Sequence, residues 1–144
     1  MGVSFLLDTN VLSELLKPRV DPGVVRRFSR DGNDCAIASV VWHELLCGAL
    51  RAPSVGRGEM LARACRDIVI GSGMQILPYD ETAATWHARE RARLLGLGRP
   101  QPYPDSQIAA IAATRNLTLV TRNTRDFECF DGLRLENWFE AGKD

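Results

Sequence analysis

The stretch that decides the fold is Phe5-Leu6-Leu7-Asp8-Thr9-Asn10-Val11-Leu12. An apolar run from Val3 to Leu7 ends at three polar side chains, and a new apolar spacing that is typical of a helix begins at Val11. A strand, a polar switch and a helix in this order are typical of the start of an open α/β sheet. Ligands of such sheets bind outside the carboxyl ends of the parallel strands. Asp8 is therefore predicted at the edge of the sheet where a site forms.

The bulk composition indicates an ordinary globular chain. Its 144 residues predict a single domain spanning residues 1–144, with a hydrophobic content of 45% that suffices for a core. The formal net charge is zero, so any phosphate-binding surface has to be a local patch. The four cysteines form no C-x-x-C pair, which favours reduced thiols in a cytoplasmic protein. No apolar run approaches the roughly 20 residues of a membrane span.

Strand and helix patterns alternate along the rest of the chain. The predicted strands are Val3–Leu7, Cys35–Ala38, Met74–Leu77, Leu117–Val120 and Leu133–Leu135, and the predicted helices are Asn10–Lys17, Pro22–Arg30, Val40–Arg51, Met60–Ile70, a helix from Asp80 or Thr82 to Leu95, and a helix from Asp105 that stops at Asn116. Such alternation predicts an α/β fold with a mainly parallel sheet covered by helices on both faces.

Four boundary features carry their own predictions. Asp21 and Ser39 are predicted to cap the helices that follow them, and residues 56–58 are predicted to be flexible because they contain two glycines. Residues 99–104 contain three prolines and are predicted to be irregular, because proline fixes φ and removes a backbone donor.

Acidic side chains from distant parts of the chain are predicted to meet at one edge of the sheet. Asp8 follows the first strand, and Asn123 and Asp126 follow the fourth. Asp105 begins the helix that returns into that fourth strand, so it lies at the same edge. Glu44 lies about five residues into the helix that leaves the second strand, roughly 8 Å from its start.

Carboxylates brought together in this way repel each other unless a cation lies between them. Mg²⁺ and Mn²⁺ bind a few carboxylates plus waters and leave positions for phosphate oxygens. An ion held in this way can orient a water molecule for attack on a phosphodiester. Zinc fits less well, because His43 and His87 lack a partner at ligand spacing.

Each polar residue also has a purely structural alternative, which the sequence leaves open. Asp8 and Asp105 can act as helix caps, favoured by the helix dipole. Glu44 can be a solvated helix carboxylate, although its apolar neighbours indicate that it needs a partner. The turn-forming alternative applies to Asn10, Thr121, Asn123 and Asp126.

Four stretches resemble the PIN-domain nucleases, and among them the toxin subunits of VapBC and FitAB toxin–antitoxin modules. They are Leu6-Leu7-Asp8-Thr9-Asn10-Val11, Ser39-Val40-Val41-Trp42-His43-Glu44-Leu45, Asp105-Ser106-Gln107-Ile108-Ala109-Ala110 and Leu119-Val120-Thr121-Arg122-Asn123-Thr124-Arg125-Asp126-Phe127. They occur in the order of the family and together are specific. The proline-dense approach to Asp105 departs from the less constrained loop expected there.

The resemblance implies a PIN-like three-layer α/β sandwich and Mg²⁺- or Mn²⁺-dependent cleavage of RNA by a toxin. Asp8, Glu44 and Asp105 would form the primary acidic and metal site, and Asp126 matches the more variable fourth acid. The supporting polar residues would be Asn10, Thr121 and Asn123, and the candidate phosphate-binding residues are Arg122 and Arg125. The resemblance also implies a cognate antitoxin partner and either a homodimer or a hetero-oligomer with the antitoxin.

Two other functions are compatible with a carboxylate after the first strand. A phosphatase with Asp8 as its nucleophile would have a second aspartate two residues later, and this chain has Asn10 there. A non-catalytic PIN-fold binding module would lack one of the acids, and all of them are present.

Overall fold

The fold is built on a parallel sheet. The computed structural model describes residues 2–140. Its strands are β1 (Phe5–Leu7), β2 (Cys35–Ala38), β3 (Gln75–Leu77), β4 (Thr118–Val120) and β5 (Arg134–Glu136). They form one sheet in the order β3-β2-β1-β4-β5, and every pairing is parallel. Leu6 is the centre of the register, since it pairs with Ala36 on one side and Leu119 on the other. The predicted mainly parallel sheet is confirmed.

Helices flank this sheet. They are α1 (Thr9–Leu15), α2 (Pro22–Asp31), α3 (Ser39–Leu50), α4 (Val55–Val69), α5 (Glu81–Gly96) and α6 (Tyr103–Thr114), with 3-10 turns at Gly32–Asp34 and Thr124–Phe127. All four residues of β2 are buried, and successive side chains of a strand point to opposite faces, so both faces of the sheet are covered. Within the described residues, no helix combines the length and the apolar character that crossing a membrane requires.

Local side-chain chemistry sets several helix starts and stops. Asp21 Oδ1 accepts the backbone N–H groups of Gly23 (2.8 Å) and Val24 (3.2 Å), which confirms the predicted cap of α2. Asp80 caps α5 in the same way, which decides between the two predicted starts of that helix. Asn116 adopts a φ of 56° after α6, a left-handed conformation that asparagine tolerates and that ends the helix.

Three predicted helix starts are wrong by one or two residues. The first helix, α1, begins at Thr9 and not at Asn10. Ser39 is the first residue of α3, and the capping position falls on Ala38, which makes no side-chain cap. The irregular segment ends before α6, which begins at Tyr103 with Pro104 in its first turn. Proline is tolerated there because the first N–H groups of a helix have no intrahelical acceptor.

The predicted flexible segment at residues 56–58 is helical. Ser54 Oγ accepts the N–H of Arg57 at 3.3 Å, so α4 begins five residues earlier than predicted. A Cβ on Gly58 would lie 3.2 Å from the carbonyl oxygen of Ala49. The glycine is therefore a point of close approach between α3 and α4 and not a hinge.

The segment after β5 is fastened to the start of α2. A Cβ on Gly23 would lie 2.4 Å from the carbonyl oxygen of Trp138, so only glycine allows this contact. Asp21, besides capping α2, accepts the N–H of Glu140 at 3.2 Å. These contacts hold the neighbouring Phe139 in place.

Candidate active site

The strand order reverses between β1 and β4, and a pocket lies at that switch point. Crevices of this kind are where open α/β sheets bind their ligands. The pocket has a volume of about 450 Å³ and brings together three of the predicted acids, Asp8, Glu44 and Asp105. We call it the acidic pocket. Its other lining residues are Thr9, Asn10, Ser13, Glu14, Lys17, Arg122, Asn123 and Phe139.

Asp8 lies at the floor of the acidic pocket and is 8% exposed. Its Oδ1 accepts the N–H of Thr9 at 2.8 Å, and its Oδ2 accepts the Thr121 hydroxyl at 2.8 Å. Burial raises the pKa of Asp8, the two hydrogen bonds oppose that rise, and the charges of Glu44 and Asp126 add to it. Asp8 therefore caps α1 and is also a buried carboxylate that the charges of Glu44 and Asp126 repel.

Three polar residues orient Asp8. Asn10 Nδ2 donates to Asp8 Oδ2 at 3.3 Å and to Thr121 Oγ1 at 3.2 Å, while its Oδ1 accepts the N–H of Arg122 at 3.0 Å. The fully buried Thr121 hydroxyl also accepts the N–H of Asn123 at 3.1 Å. The ends of β1 and β4 are therefore joined by side chains, and the predicted supporting group of Asn10, Thr121 and Asn123 meets in one network.

Glu44 reaches the acidic pocket from α3. It is half-buried, and its Oε2 accepts a hydrogen bond from the Thr9 hydroxyl. This contact holds a carboxylate from α3 against the first residue of α1. The need of Glu44 for a partner was evident from its apolar neighbours, but the sequence did not show that the partner is Thr9.

Asp105 lies in the first turn of α6 and is half-buried. Burial and then the charges of Asp8, Asp126 and Glu44 raise its pKa from 3.8 to about 6. The acids therefore lie close enough to repel each other electrostatically. Repulsion between partly buried carboxylates favours the binding of a cation.

The start of α6, and with it Asp105, is held by contacts from α5. Arg91 Nη1 donates to the hydroxyl of Tyr103 at 2.7 Å, and its guanidinium carbon lies 4.6 Å from the centroid of the Tyr103 ring. The His87 ring meets the same ring edge-on at 5.1 Å. His87 is buried in this cluster and His43 is exposed on α3, so neither histidine lines the acidic pocket.

Asp126 and Arg125 lie outside the walls of the acidic pocket. Both are exposed in the 3-10 turn after β4. Asp126 nevertheless raises the pKa of both Asp8 and Asp105 through its charge. Arg122, the other predicted phosphate-binding arginine, does line the pocket.

The sequence reading missed the wall that α1 contributes. Glu14 is 7% exposed, and its Oε1 pairs with Lys17 Nζ at 2.9 Å. Thr9 and Ser13, four residues apart, share one face of α1, and Lys17 comes another four residues on, just after the helix ends at Leu15. This polar spacing, directly after Asp8, was the signal that could have identified the wall.

The donor set fits a hard divalent cation. Its acids and their supporting groups offer oxygen atoms, which suit Mg²⁺ or Mn²⁺ better than zinc. Among residues 2–140, however, no three His, Cys, Asp or Glu side chains form a ready-made cation site. One reason is that Glu44 is turned toward Thr9. The acids line one pocket and repel each other, but their carboxylates do not converge on a single point.

Comparison with known proteins gives a single consistent family. Residues 5–133 match the family model described as PIN domain. The chain is 36% identical to the tRNA(fMet)-specific endonuclease VapC of Shigella flexneri, over 94% of this chain and 98% of that protein. It is 31% identical to toxin FitB of Neisseria gonorrhoeae, over 94% and 99%. The crystal structure of DNA-bound VapBC from Salmonella typhimurium matches with a TM-score of 0.81 and 31% identity, over 94% and 98%.

Proposed function

The chain belongs to the PIN-domain family, and from that premise we propose that it is a metal-dependent endoribonuclease acting as the toxin of a toxin–antitoxin pair. The observation that carries the proposal is that Asp8, Glu44 and Asp105, from β1, α3 and α6, line one pocket at the switch point of the sheet. The similar proteins named above are an endonuclease and a toxin, which supports both halves of the proposal.

We assign the cation site to Asp8, Glu44 and Asp105, with Asp126 acting at its rim. The raised pKa values of Asp8 and Asp105 support this, because burial and then neighbouring negative charges raise them, and a bound cation would offset both effects. When bound, Mg²⁺ or Mn²⁺ would supply an oriented water and stabilise charge on a phosphoryl group.

The chain's own residues prepare the acidic pocket for this reaction. Thr121 and Asn10 fix the orientation of the Asp8 carboxylate, and the Thr9 hydroxyl holds Glu44. Arg122, at the pocket wall, presents a guanidinium to the oxygens of the scissile phosphate. In the hydrolysis, a bond forms between a water oxygen and phosphorus and one P–O ester bond breaks. The departing oxygen takes up a proton and leaves as a hydroxyl group.

An apolar groove beside the acidic pocket supports an antitoxin partner. The groove has a volume of about 190 Å³ and shares Thr9, Ser13 and Glu44 with the pocket. Its remaining walls are mostly apolar and come from α1, α3 and α4, at Leu16, Leu45, Gly48, Ala49, Leu61 and Cys65. A protein segment with apolar side chains can bury these residues and block the acids at the same time. The proposal includes a cytoplasmic location and assembly as a homodimer or as a hetero-oligomer with the antitoxin.

The two alternative functions find less support. A phosphatase with Asp8 as its nucleophile would have a second aspartate two residues later. That position is Asn10, an amide that donates to Asp8 Oδ2 and carries no acidic proton. A non-catalytic binding module has no use for three acids in one pocket, where burial and then the charges of its neighbours raise the pKa of Asp105, and that arrangement carries an energetic cost.

The proposal is tested by incubating the purified protein with total RNA and mapping the new 5′ ends. Cleavage is expected with Mn²⁺ or Mg²⁺ and should stop in EDTA. The Asp8→Asn variant should have no activity and should show a weaker heat signal when titrated with Mn²⁺. Undiminished cleavage by this variant would refute the assignment of the site.

A matched control separates loss of the site from loss of the fold. Asp67 is an exposed aspartate on α4, outside the acidic pocket. Asp67→Asn removes the same charge and should retain full cleavage and the Mn²⁺ signal. Circular dichroism should show native helix content for both variants.

A further inference from the structure

A second cavity continues from the acidic pocket. It has a volume of about 260 Å³, lies between α1, the start of α2 and the segment after β5, and includes Arg19. It shares Glu14, Lys17, Arg122 and Phe139 with the acidic pocket, so the two cavities form one cleft. We call this second part the basic cavity.

This end of the cleft is the more positive one. Three cations and two acids line the basic cavity: Lys17 and Arg122 are shared with the acidic pocket, and Arg19 lines the basic cavity but not the acidic pocket. The acids assigned to catalysis line the acidic pocket. Within the described part of the chain, the exposed Arg19 makes no ion pair. Arginine and lysine donors grouped in this way suit phosphate oxygens.

The two acids of the basic cavity are committed to internal bonds. Glu14 pairs with Lys17, and its Oε2 accepts the N–H of Asp21 at 2.9 Å; these bonds hold the pKa of Glu14 below its usual value. The carboxylate of Asp21 in turn caps α2. Because their charge is taken up by these donors, they oppose an incoming phosphate less than free carboxylates do.

An aromatic ring stands at the junction of the two cavities. Phe139 lines both of them and is half-buried. The guanidinium carbon of Arg122 lies 4.7 Å from the centroid of its ring. Phe139 is also fixed from the backbone, since its N–H donates to Asn137 Oδ1 at 2.9 Å. A rigid ring beside cations is the combination by which proteins bind single-stranded nucleic acid without reading its sequence.

We propose that the basic cavity binds the RNA strand next to the scissile phosphate, with a base stacked on Phe139 and the neighbouring phosphate held by Lys17 and Arg19. This inference rests on the proposed function, because it takes the acidic pocket as the place of cleavage. The charge pattern supports it: a strand that crosses the junction passes from the catalytic acids, past Lys17 and Arg122, to Arg19.

The test is a binding measurement that does not depend on cleavage. A fluorescein-labelled RNA octamer is titrated with protein in EDTA, and the dissociation constant is read from fluorescence anisotropy. Phe139→Leu should weaken binding about tenfold, because base–aromatic stacking is lost. Phe139→Trp keeps an aromatic ring and should retain the binding of the unaltered protein. Weakening by both variants to the same extent would overturn the stacking role.

The phosphate contact is tested through the salt dependence. Arg19→Gln should weaken binding several-fold and reduce the slope of log Kd against log salt concentration by about 1. The control is Arg63→Gln, which removes an exposed arginine of α4 outside both cavities and should bind as the unaltered protein does. Equal binding by Arg19→Gln and Arg63→Gln would overturn the assignment of this phosphate contact.

A parallel cleavage assay separates the two proposals. If the unaltered protein cuts RNA with Mn²⁺ but binding does not depend on Phe139 or Arg19, the basic cavity is not the subsite and the nuclease proposal stands. If binding depends on both residues and no condition gives cleavage, the nuclease proposal fails and the RNA site stands.

Discussion

Replacing Asp105 by asparagine should stabilise the isolated protein. The carboxyl of Asp105 has its pKa raised from 3.8 to about 6 by burial and by three neighbouring acids. An asparagine of nearly the same shape removes the charge and keeps the start of α6 polar. The variant should therefore unfold at a higher urea concentration, although it should lose RNA cleavage.

The size of this stabilisation and its dependence on pH follow from the difference between the pKa of Asp105 in the native and the unfolded state. Above pH 6 the native state holds an ionised carboxylate at a cost of at most about 3 kcal/mol, the free-energy equivalent of the difference between the two pKa values. Solvent screening of a half-buried group and the favourable dipole at the start of α6 reduce the net cost to about 1 kcal/mol. Because the native pKa is the higher one, the penalty grows as pH rises from about 4 to about 6 and is complete above that.

Urea unfolding at pH 4 and pH 8, with EDTA throughout, measures this directly. At pH 8 Asp105→Asn should be more stable than the unaltered protein by about 1 kcal/mol, and at pH 4 the difference should nearly disappear. Asp67→Asn, the exposed control on α4, should show no such change. Adding Mn²⁺ at pH 8 should stabilise the unaltered protein more than the variant, because cation binding relieves the same repulsion.

The opposite result would refute the reasoning. If Asp105→Asn is less stable at pH 8 and equally so at pH 4, then Asp105 stabilises the first turn of α6 and its carboxylate is not repelled. The repulsion between the acids would then be too weak to favour the binding of a cation.

Three further predictions concern single side chains. Thr121→Val should cost about 2 kcal/mol in urea unfolding, since the buried hydroxyl that donates to Asp8 is lost, and Thr121→Ser should retain most of the stability. Gly58→Ala should destabilise the protein by about 1 kcal/mol because of the close approach of α3, whereas Gly56→Ala, with open space around its Cβ, should stabilise it by about 0.5 kcal/mol. Burial lowers the pKa of His87, so its contribution to stability is present above pH 6.5 and lost as pH falls; His87→Gln should be most destabilising at pH 8 and least at pH 5.

The sheet and the edge that carries the site could be predicted from the sequence because they depend on strong local patterns. β2 is a continuous apolar run between a turn and a helix, and its predicted bounds, Cys35–Ala38, are those of the structure. Helix starts were less predictable, since a single polar side chain decides them. The Ser54 side chain caps α4, which therefore begins before two glycines. Ser39 is the first residue of α3 and does not cap it.

The candidate site was predictable in its acids and less so in their partners. Asp8, Glu44 and Asp105 were placed together because parallel strands share one edge, and the structure puts all three in the acidic pocket. The bond from Thr9 to Glu44 joins residues 35 positions apart and depends on the angle between α1 and α3, which no sequence pattern gives. For the same reason, the part of Phe139 in the cleft was not foreseen.

The contacts of Trp138 and Glu140 with the start of α2 affect where a tag or fusion should be attached. β1 runs toward the acidic pocket, so residues 2–4, which precede it, lie at the far edge of the sheet. Phe139, by contrast, stands beside the cleft, and the contact of Trp138 with Gly23 places it there. An affinity tag or fluorescent fusion joined directly after residue 140 would start beside the cleft and would obstruct the proposed RNA path. One joined directly before residue 2 would start away from the cleft and is the safer choice for purification and imaging.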